Sequence, residues 1–92
     1  MQKNYTTFTG NIHSLTDTIS IKRASKKDFF KRIIGLKTED NQLMFIEARN
    51  SKLALLENVS LNDYVTVEIS FEGSEKNDKQ YNNIFLYNLK VL

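Results

Sequence analysis

The chain has 92 residues, of which 13 are basic and 11 acidic, and it contains no cysteine, proline or tryptophan. A chain of this length forms one domain with one core, so we treat 1–92 as a single domain. The absence of cysteine excludes a disulfide framework and a thiolate metal site. No apolar run approaches the about 20 residues of a membrane-spanning helix, and the N-terminus lacks a secretory signal. We therefore expect a cytoplasmic protein without a membrane partner.

Apolar and polar residues alternate through much of the chain, and polar clusters separate the alternating segments. This pattern predicts a mainly antiparallel β domain. The five expected strands are 5–15, 28–38, 43–48, 64–72 and 81–91. In the fourth strand, one side carries only apolar residues and is assigned to the core: Val65, Val67, Ile69 and Phe71.

The segments between the strands carry a turn and a helix signal. Glu39, Asp40 and Asn41 predict a short hairpin turn between the second and third strands. After Asn50 or Ser51, either of which is a suitable N-cap, four apolar residues recur at helical spacing: Leu53, Leu55, Leu56 and Val59. A short helix between the third and fourth strands is therefore expected.

Five strands with one helix between the third and fourth is the order of an OB-fold, a small Greek-key barrel that the helix closes at one end. In this arrangement, 22–27 is the loop between the first two strands. The loop between the last two strands is 73–80.

The segment from Ile21 to Leu36 carries six basic residues, one acidic residue and two adjacent phenylalanines. In contrast, the part from Thr38 to Leu92 has five basic and nine acidic residues. Cations neutralise phosphates and flat rings stack on unpaired bases, so this asymmetry favours a face that binds a single nucleic-acid strand. The same run of charge is also compatible with a purely solubilising role. The candidate contact residues are Lys22, Arg23, Lys26, Lys27, Phe29, Lys31, Arg32, Arg49, Lys79, Tyr81 and Tyr87.

Phe29 and Phe30 are consecutive in a predicted strand, so their rings face opposite sides. Ile34 and Leu36 are expected inside the barrel, and alternation places Phe30 with them. Phe29 is then outside, beside Lys31, as the stacking candidate, although a bulge would reverse the two.

Other residue types give little evidence of chemistry. Tyr81 and Tyr87 fit a stacking role or a position at the rim of the core with the hydroxyl in water. His13 is the one histidine, too few for a metal site, and no catalytic or phosphate-binding motif occurs. We expect no metal, no cofactor and no enzymatic activity.

Several segments resemble small bacterial single-OB-fold proteins of the single-stranded-DNA-binding type. They are FTGNIHSL at 8–15, KDFFKR at 27–32 before LKT at 36–38, KLALLENVSLNDYVTV at 52–67 and KQYNNI at 79–84. The resemblance covers about 8–91. It implies an OB-fold that binds single-stranded DNA, or RNA, with little sequence preference and that forms a homo-oligomer.

An OB barrel also serves as a scaffold for docking proteins, so an interaction or assembly module is the main alternative. Its expected contact is the side of the last strand that carries Phe85, Tyr87, Leu89 and Val91. Oligosaccharide or RNA binding by the same groove is the third reading.

Overall fold

The structure is a computed structural model of the chain, and it describes residues 5–92. This part of the chain forms six β-strands and one short 3₁₀ helix. The strands are β1 (Thr6–Leu15), β2 (Ile19–Arg23), β3 (Lys26–Thr38), β4 (Leu43–Arg49), β5 (Tyr64–Lys76) and β6 (Lys79–Val91). The helix, Asn50–Leu56, lies between β4 and β5.

Five of these strands close into a barrel. The sheet order is β1-β5-β6-β4-β3-β2, and β1 also pairs with β3, which completes the ring. The seam between β4 and β6 is parallel and rests on one residue pair, Glu47 with Phe85. A closed Greek-key ring with a helix before β5 is the predicted OB-fold, so the fold class is confirmed.

The core lies inside this ring, because strand alternation turns one side of each strand inward. Val65, Val67 and Ile69 are fully buried, as the pattern in β5 predicts. The cluster that they join comprises Ile12, Ile34, Leu36, Ile46, Ala48, Leu56, Val59, Val65, Val67, Ile69, Leu86 and Leu89.

The segment from β2 to β3 forms a hairpin, in place of the predicted loop at 22–27. Arg23 pairs with Lys26 across a turn at Ala24 and Ser25. Along the same edge of β3, the first half of this strand pairs with β2 and the second half pairs with β1. The β2–β3 hairpin, residues 19–31, therefore extends beyond the barrel, and we call it the basic arm.

A second hairpin replaces the predicted loop at 73–80. β5 and β6 stay paired from Phe71 with Ile84 out to Lys76 with Lys79. The turn consists of Asn77 and Asp78, which have φ angles of 52° and 64°. Two successive positive φ values are typical of a tight hairpin turn, so pairing continues to its end. We call residues 71–84 the β5–β6 arm.

Two phenylalanines for which alternation predicts a core position lie on these arms instead. Phe30 is 46% exposed and Phe71 is 57% exposed. Alternation gives each the same side of its strand as the buried residues Ile34 and Ile69. The core assignments of Phe30 and Phe71 are wrong, because the arms leave the barrel before these rings are reached.

The helix is a 3₁₀ helix capped by Arg49, with no side-chain hydrogen bond at the cap. The expected cap residue Asn50 is the first helical residue, and its Oδ1 accepts a hydrogen bond from the Phe30 amide at 3.2 Å. Three residues per turn place Leu53 and Leu56 on one side, toward the core.

A bulge in β6 changes which residues share a side. Asn88 pairs with Glu68 and Leu86 pairs with Ile69, so Tyr87 is the extra residue. Leu89 is therefore buried in the core, whereas Phe85 lies opposite Ser70 on the outer face. The expectation that Phe85, Tyr87, Leu89 and Val91 share one side is wrong. Within residues 5–92, no helix is long and apolar enough to cross a membrane.

Candidate nucleic-acid interface

The outer face of β3 and β4 collects charged and aromatic side chains. Lys31 pairs directly with Arg49 across the two strands, and Ile33 pairs with Glu47. Alternation places Phe29 two residues before Lys31 on the same side. Since the opposite side of both strands is core, polar residues at these positions face outward.

Cations and rings alternate across this face. The guanidinium carbon of Arg49 lies 4.7 Å from the centroid of Phe29 and 4.7 Å from that of Phe85. The guanidinium carbon of Arg23, on the basic arm, lies 4.9 Å from the Phe29 centroid. All three distances allow cation–π attraction. Phe29 is thus half-buried under two guanidinium groups, which themselves form the accessible surface.

A carboxylate lies among these cations. Glu47 Oε1 accepts a hydrogen bond from Lys31 Nζ at 2.6 Å, and its Oε2 accepts one from Arg49 Nε at 2.6 Å. Burial raises the pKa of the Glu47 carboxyl, but the hydrogen bonds and charges of Lys31 and Arg49 outweigh burial and hold this pKa below its ordinary value. Glu47 is therefore ionised at neutral pH and compensates one of its two cationic partners.

A cleft of about 270 Å³ opens beside Glu47, across the seam between β4 and β6. One wall is a pair of stacked rings, Tyr5 and Tyr87, whose centroids are 3.9 Å apart. Lys52 Nζ lies 4.5 Å from the Tyr87 centroid. The bulge in β6 directs Tyr87 to this surface, where it is 41% exposed. The cleft is lined by Tyr5, Glu47, Arg49, Lys52, Ser70, Glu72, Phe85, Leu86 and Tyr87.

Phe45 extends the same face toward the start of β4. Its ring is 56% exposed. Gly35 lies opposite Phe45 on β3, and a Cβ at Gly35 would lie 2.2 Å from Ser14 Oγ and 3.4 Å from Phe45 Cε1, so Ser14 leaves no room for a side chain at this position. A flat exposed ring is a platform for stacking a base.

Sequence reasoning missed Phe45, Tyr5, Lys52 and Glu47, and it gave Phe85 a different role. Alternation in β4 was a usable signal for Phe45, because its neighbour Ile46 is a core residue. No local signal places Phe85 beside Arg49, since that contact depends on the single pair across the seam.

The remaining predicted site residues are distributed over three places. Lys22, Lys26 and Lys27 are exposed on the basic arm. Arg23 Nε and Nη2 donate hydrogen bonds to the Lys27 carbonyl oxygen at 3.0 and 2.6 Å, which holds the arm together. Lys79 is exposed at the tip of the β5–β6 arm.

Tyr81 is also exposed on the β5–β6 arm, opposite Ser74, and thus outside the cleft that contains Tyr87. Arg32 lies on the other side of β3 from Lys31, and its Nε donates to the Thr16 carbonyl oxygen at 2.7 Å. The structure therefore separates Arg32 from the cationic face and gives it a contact with the β1–β2 connection. Among residues 5–92, no three His, Asp or Glu side chains converge as metal ligands would.

Comparison with known proteins supports the fold. No protein-family model matches the chain, and no curated protein matches its sequence. Solved structures of OB-fold type do match over nearly the whole chain. The mitochondrial single-stranded DNA binding protein Rim1 from S. cerevisiae has a TM-score of 0.66 and 16% identity, over 99% of this chain and 97% of that chain.

Two further solved structures show the same likeness. The small single-stranded DNA-binding protein from Streptomyces coelicolor has a TM-score of 0.52 and 8% identity, over 99% of this chain and 95% of that chain. The dimeric N-terminal domain of PriB protein from Thermoanaerobacter tencongensis has a TM-score of 0.54 and 18% identity, over 97% of this chain and 96% of that chain. The predicted resemblance to OB-fold proteins of the single-stranded-DNA-binding type is confirmed as a likeness of fold.

Proposed function

We propose that this chain binds single-stranded DNA, with little sequence preference, through the outer face of β3, β4 and β6. The observation that carries the proposal is the position of Arg49 between the rings of Phe29 and Phe85, next to the Tyr5–Tyr87 stack. Cations beside flat rings match the alternation of phosphate and base along an unpaired strand. The names of the similar solved structures support the same ligand.

In this proposal the strand crosses from the basic arm to the cleft. Lys22, Lys26 and Lys27 supply phosphate contacts at one end. Phe45, which is exposed, supplies a stacking platform near the seam. Tyr87 supplies a second platform when Lys52, whose Nζ lies over its ring in the free protein, turns to a phosphate. The activity is to hold a strand unpaired, without catalysis, and location in the cytoplasm stays a prediction.

Binding can be measured by fluorescence anisotropy with labelled oligo-dT, oligo-U and duplex DNA at two salt concentrations. We expect oligo-dT to bind more tightly than duplex, and affinity to fall as salt rises because phosphate contacts release counterions. Equal affinity for duplex and oligo-dT would contradict the proposal. Tighter binding of oligo-U than oligo-dT would assign the face to RNA.

Stacking can be tested at Tyr87. Tyr87→Ala is expected to lose about 1 to 3 kcal/mol of oligo-dT affinity, the usual value for a base stacked on an aromatic ring. Phe71→Ala is the matched control, since it removes an exposed ring from the β5–β6 arm, away from the cleft. Equal affinity of Tyr87→Ala and wild type would remove this ring from the interface.

We also propose that the chain self-associates. A groove of about 760 Å³ has an apolar part formed by Phe8, Leu43, Met44, Phe45 and Ile84, and the rest of its lining is polar: Thr7, Thr9, Thr38, Glu39, Asp40 and Gln42. Leu43 is exposed, so Leu43→Glu is expected to lower the mass measured by light scattering without unfolding the barrel. A wild-type protein that is monomeric at high concentration would refute self-association.

A further inference from the structure

Glu47 holds two cations of the outer face of β3 and β4, Lys31 and Arg49, and each of its carboxylate oxygens is engaged by one of them. Lys31 Nζ and Arg49 Nε each lie 2.6 Å from a different oxygen. The side chain of Glu47 is 16% exposed, against 22% for Lys31 and 42% for Arg49. Hydrogen bonds between charged groups at this distance are the strong kind, so the carboxylate satisfies the cations as a phosphate would.

We propose that Glu47 is a built-in competitor of the DNA phosphate: the carboxylate occupies the place between Lys31 and Arg49 that a phosphate oxygen takes when a strand binds. This inference rests on the proposed function. The strand then binds by exchange, in which the two cations leave one anion for another. Two cations and one anion leave this cluster with a single net positive charge, which lowers the affinity that Lys31 and Arg49 would otherwise supply.

The competitor also controls access to the rings. Its bond to Arg49 Nε holds the guanidinium over Phe29 and Phe85 at 4.7 Å from each centroid. A ring face that carries a guanidinium has no room for a base. When a phosphate draws Arg49 away from Glu47, these faces become accessible, so phosphate binding and stacking are coupled through one carboxylate.

Other charged groups near Glu47 set the conditions of the exchange. Lys31 faces it from β3 and Arg49 from its own strand, while Lys52 of the 3₁₀ helix and Glu72 of β5 line the same cleft. β6 contributes the uncharged ring of Phe85 and the phenol of Tyr87, which stacks on the phenol of Tyr5. The positive neighbours keep Glu47 ionised in the free protein, so the competitor is fully active at neutral pH.

The decisive variant is Glu47→Gln, which keeps the shape of the side chain and removes its charge. We expect oligo-dT to bind about five- to tenfold more tightly at low salt, and the slope of log affinity against log salt to steepen by about 0.7 for one additional neutralised phosphate. Glu68→Gln is the matched control, because Glu68 is a half-buried acid of β5 outside the cleft, and its replacement changes net charge equally. Unchanged or weaker binding by Glu47→Gln, or an equal increase in affinity for Glu68→Gln, would overturn the proposal.

The pH profile gives a second readout. A strand that removes the cations from Glu47 brings its pKa back up, so the complex takes up a proton that the free protein does not. Wild-type affinity for oligo-dT is therefore expected to rise as pH falls below about 5, and this rise should be smaller in Glu47→Gln. Identical profiles would contradict the exchange.

A second variant keeps the test valid if Glu47→Gln fails to fold. Glu47→Thr removes the carboxylate and leaves both cations in place, and threonine is favoured in strands. Lys31 and Arg49 are then without their competitor, and we expect severalfold tighter binding than wild type. Weaker binding would mean that Glu47 positions Arg49 for the strand, which overturns the proposal. If wild type itself prefers duplex, the proposed function fails and this inference fails with it; if wild type prefers oligo-dT, only the inference is at stake.

Discussion

β3 and β5 each run from the barrel into an arm, and residues on the same side of these strands are buried in the barrel but exposed in the arms. In β3, Ile34 is fully buried, whereas Phe30, on the same side, is exposed. In β5, Ile69 is fully buried and Phe71, two residues further, is exposed. Alternation decides the side of a strand, but burial depends on whether another layer covers that side. The arms have no such layer, so Phe30 and Phe71 stay exposed although the pattern assigns them to the core side.

The largest expected difference between barrel and arm is in stability. Ile69→Ala should lower the free energy of unfolding by about 2 to 5 kcal/mol, because it leaves a cavity in the core. Phe71→Ala, although it removes a larger side chain, should change stability by only about 0.5 kcal/mol. Urea denaturation of both variants measures the difference. Similar losses would mean that the β5–β6 arm is covered in solution, for instance by a second copy.

Substitutions at two glycines compare the barrel and the β5–β6 arm in a second way. A Cβ at Gly10, in the barrel, would lie 2.2 Å from the Lys37 carbonyl oxygen, so backbone has to move. Gly10→Ala is expected to cost about 1 to 3 kcal/mol of stability. At Gly73, in the β5–β6 arm, the nearest atom would be 3.9 Å away. Gly73→Ala should therefore stabilise by about 0.4 to 1 kcal/mol through the unfolded chain. Thermal melts of the two variants provide the measurement, and a destabilised Gly73→Ala would show that the arm is packed more tightly than this.

The two arms differ from each other in charge, which predicts different roles in binding. Replacing Lys26 and Lys27 of the basic arm by Ala should reduce the magnitude of the slope of log affinity against log salt by about 0.7 for each phosphate that is no longer neutralised. Replacing Lys76 and Lys79 should have less effect, because Glu75 and Asp78 leave the tip of the β5–β6 arm without net charge. If both pairs of substitutions reduce the salt slope equally, both arms contact phosphates.

The smallest expected effect concerns acid stability at the junction of barrel and basic arm. The pKa of Glu47 is lowered in the folded protein, so its ionised form contributes stability above the pKa of the unfolded chain. This contribution is lost as pH falls through the folded pKa. Wild type should therefore lose more stability than Glu47→Gln on acidification, by less than about 1 kcal/mol for a pair this near the surface. Denaturant titrations at neutral and acidic pH compare the two; parallel losses would contradict the shift.

Local pattern was sufficient for the barrel parts of β3, β4 and β5. Val65, Val67 and Ile69 are buried as alternation predicts, and the turn at Glu39 to Asn41 is present, with Asn41 at a φ of 66°. The six basic residues of 21–36 identified the arm that carries exposed positive charge, although not its hairpin structure. These features depend on neighbours in the chain, which the sequence displays directly.

The candidate site was predicted less completely, because its residues meet through distant pairings. Arg49 reaches Phe85 only because β4 touches β6 at Glu47 and Phe85. Tyr87 faces the cleft only because a bulge adds one residue to β6. Glu47 likewise lies between Lys31 and Arg49 only because β3 and β4 pair in the observed register.

The sequence by itself determined the side on which the barrel residues of β3, β4 and β5 lie, the order of the OB-fold and the basic character of one segment. Tertiary structure alone decided where the barrel ends and the arms begin, which ring each cation contacts, and which cations an acid already holds. The physical reason is the distance along the chain over which each property is set. Side-chain alternation and turn conformation are set within a few residues, whereas burial, ion pairing and ring contacts are set by strands that lie tens of residues apart and meet in one register.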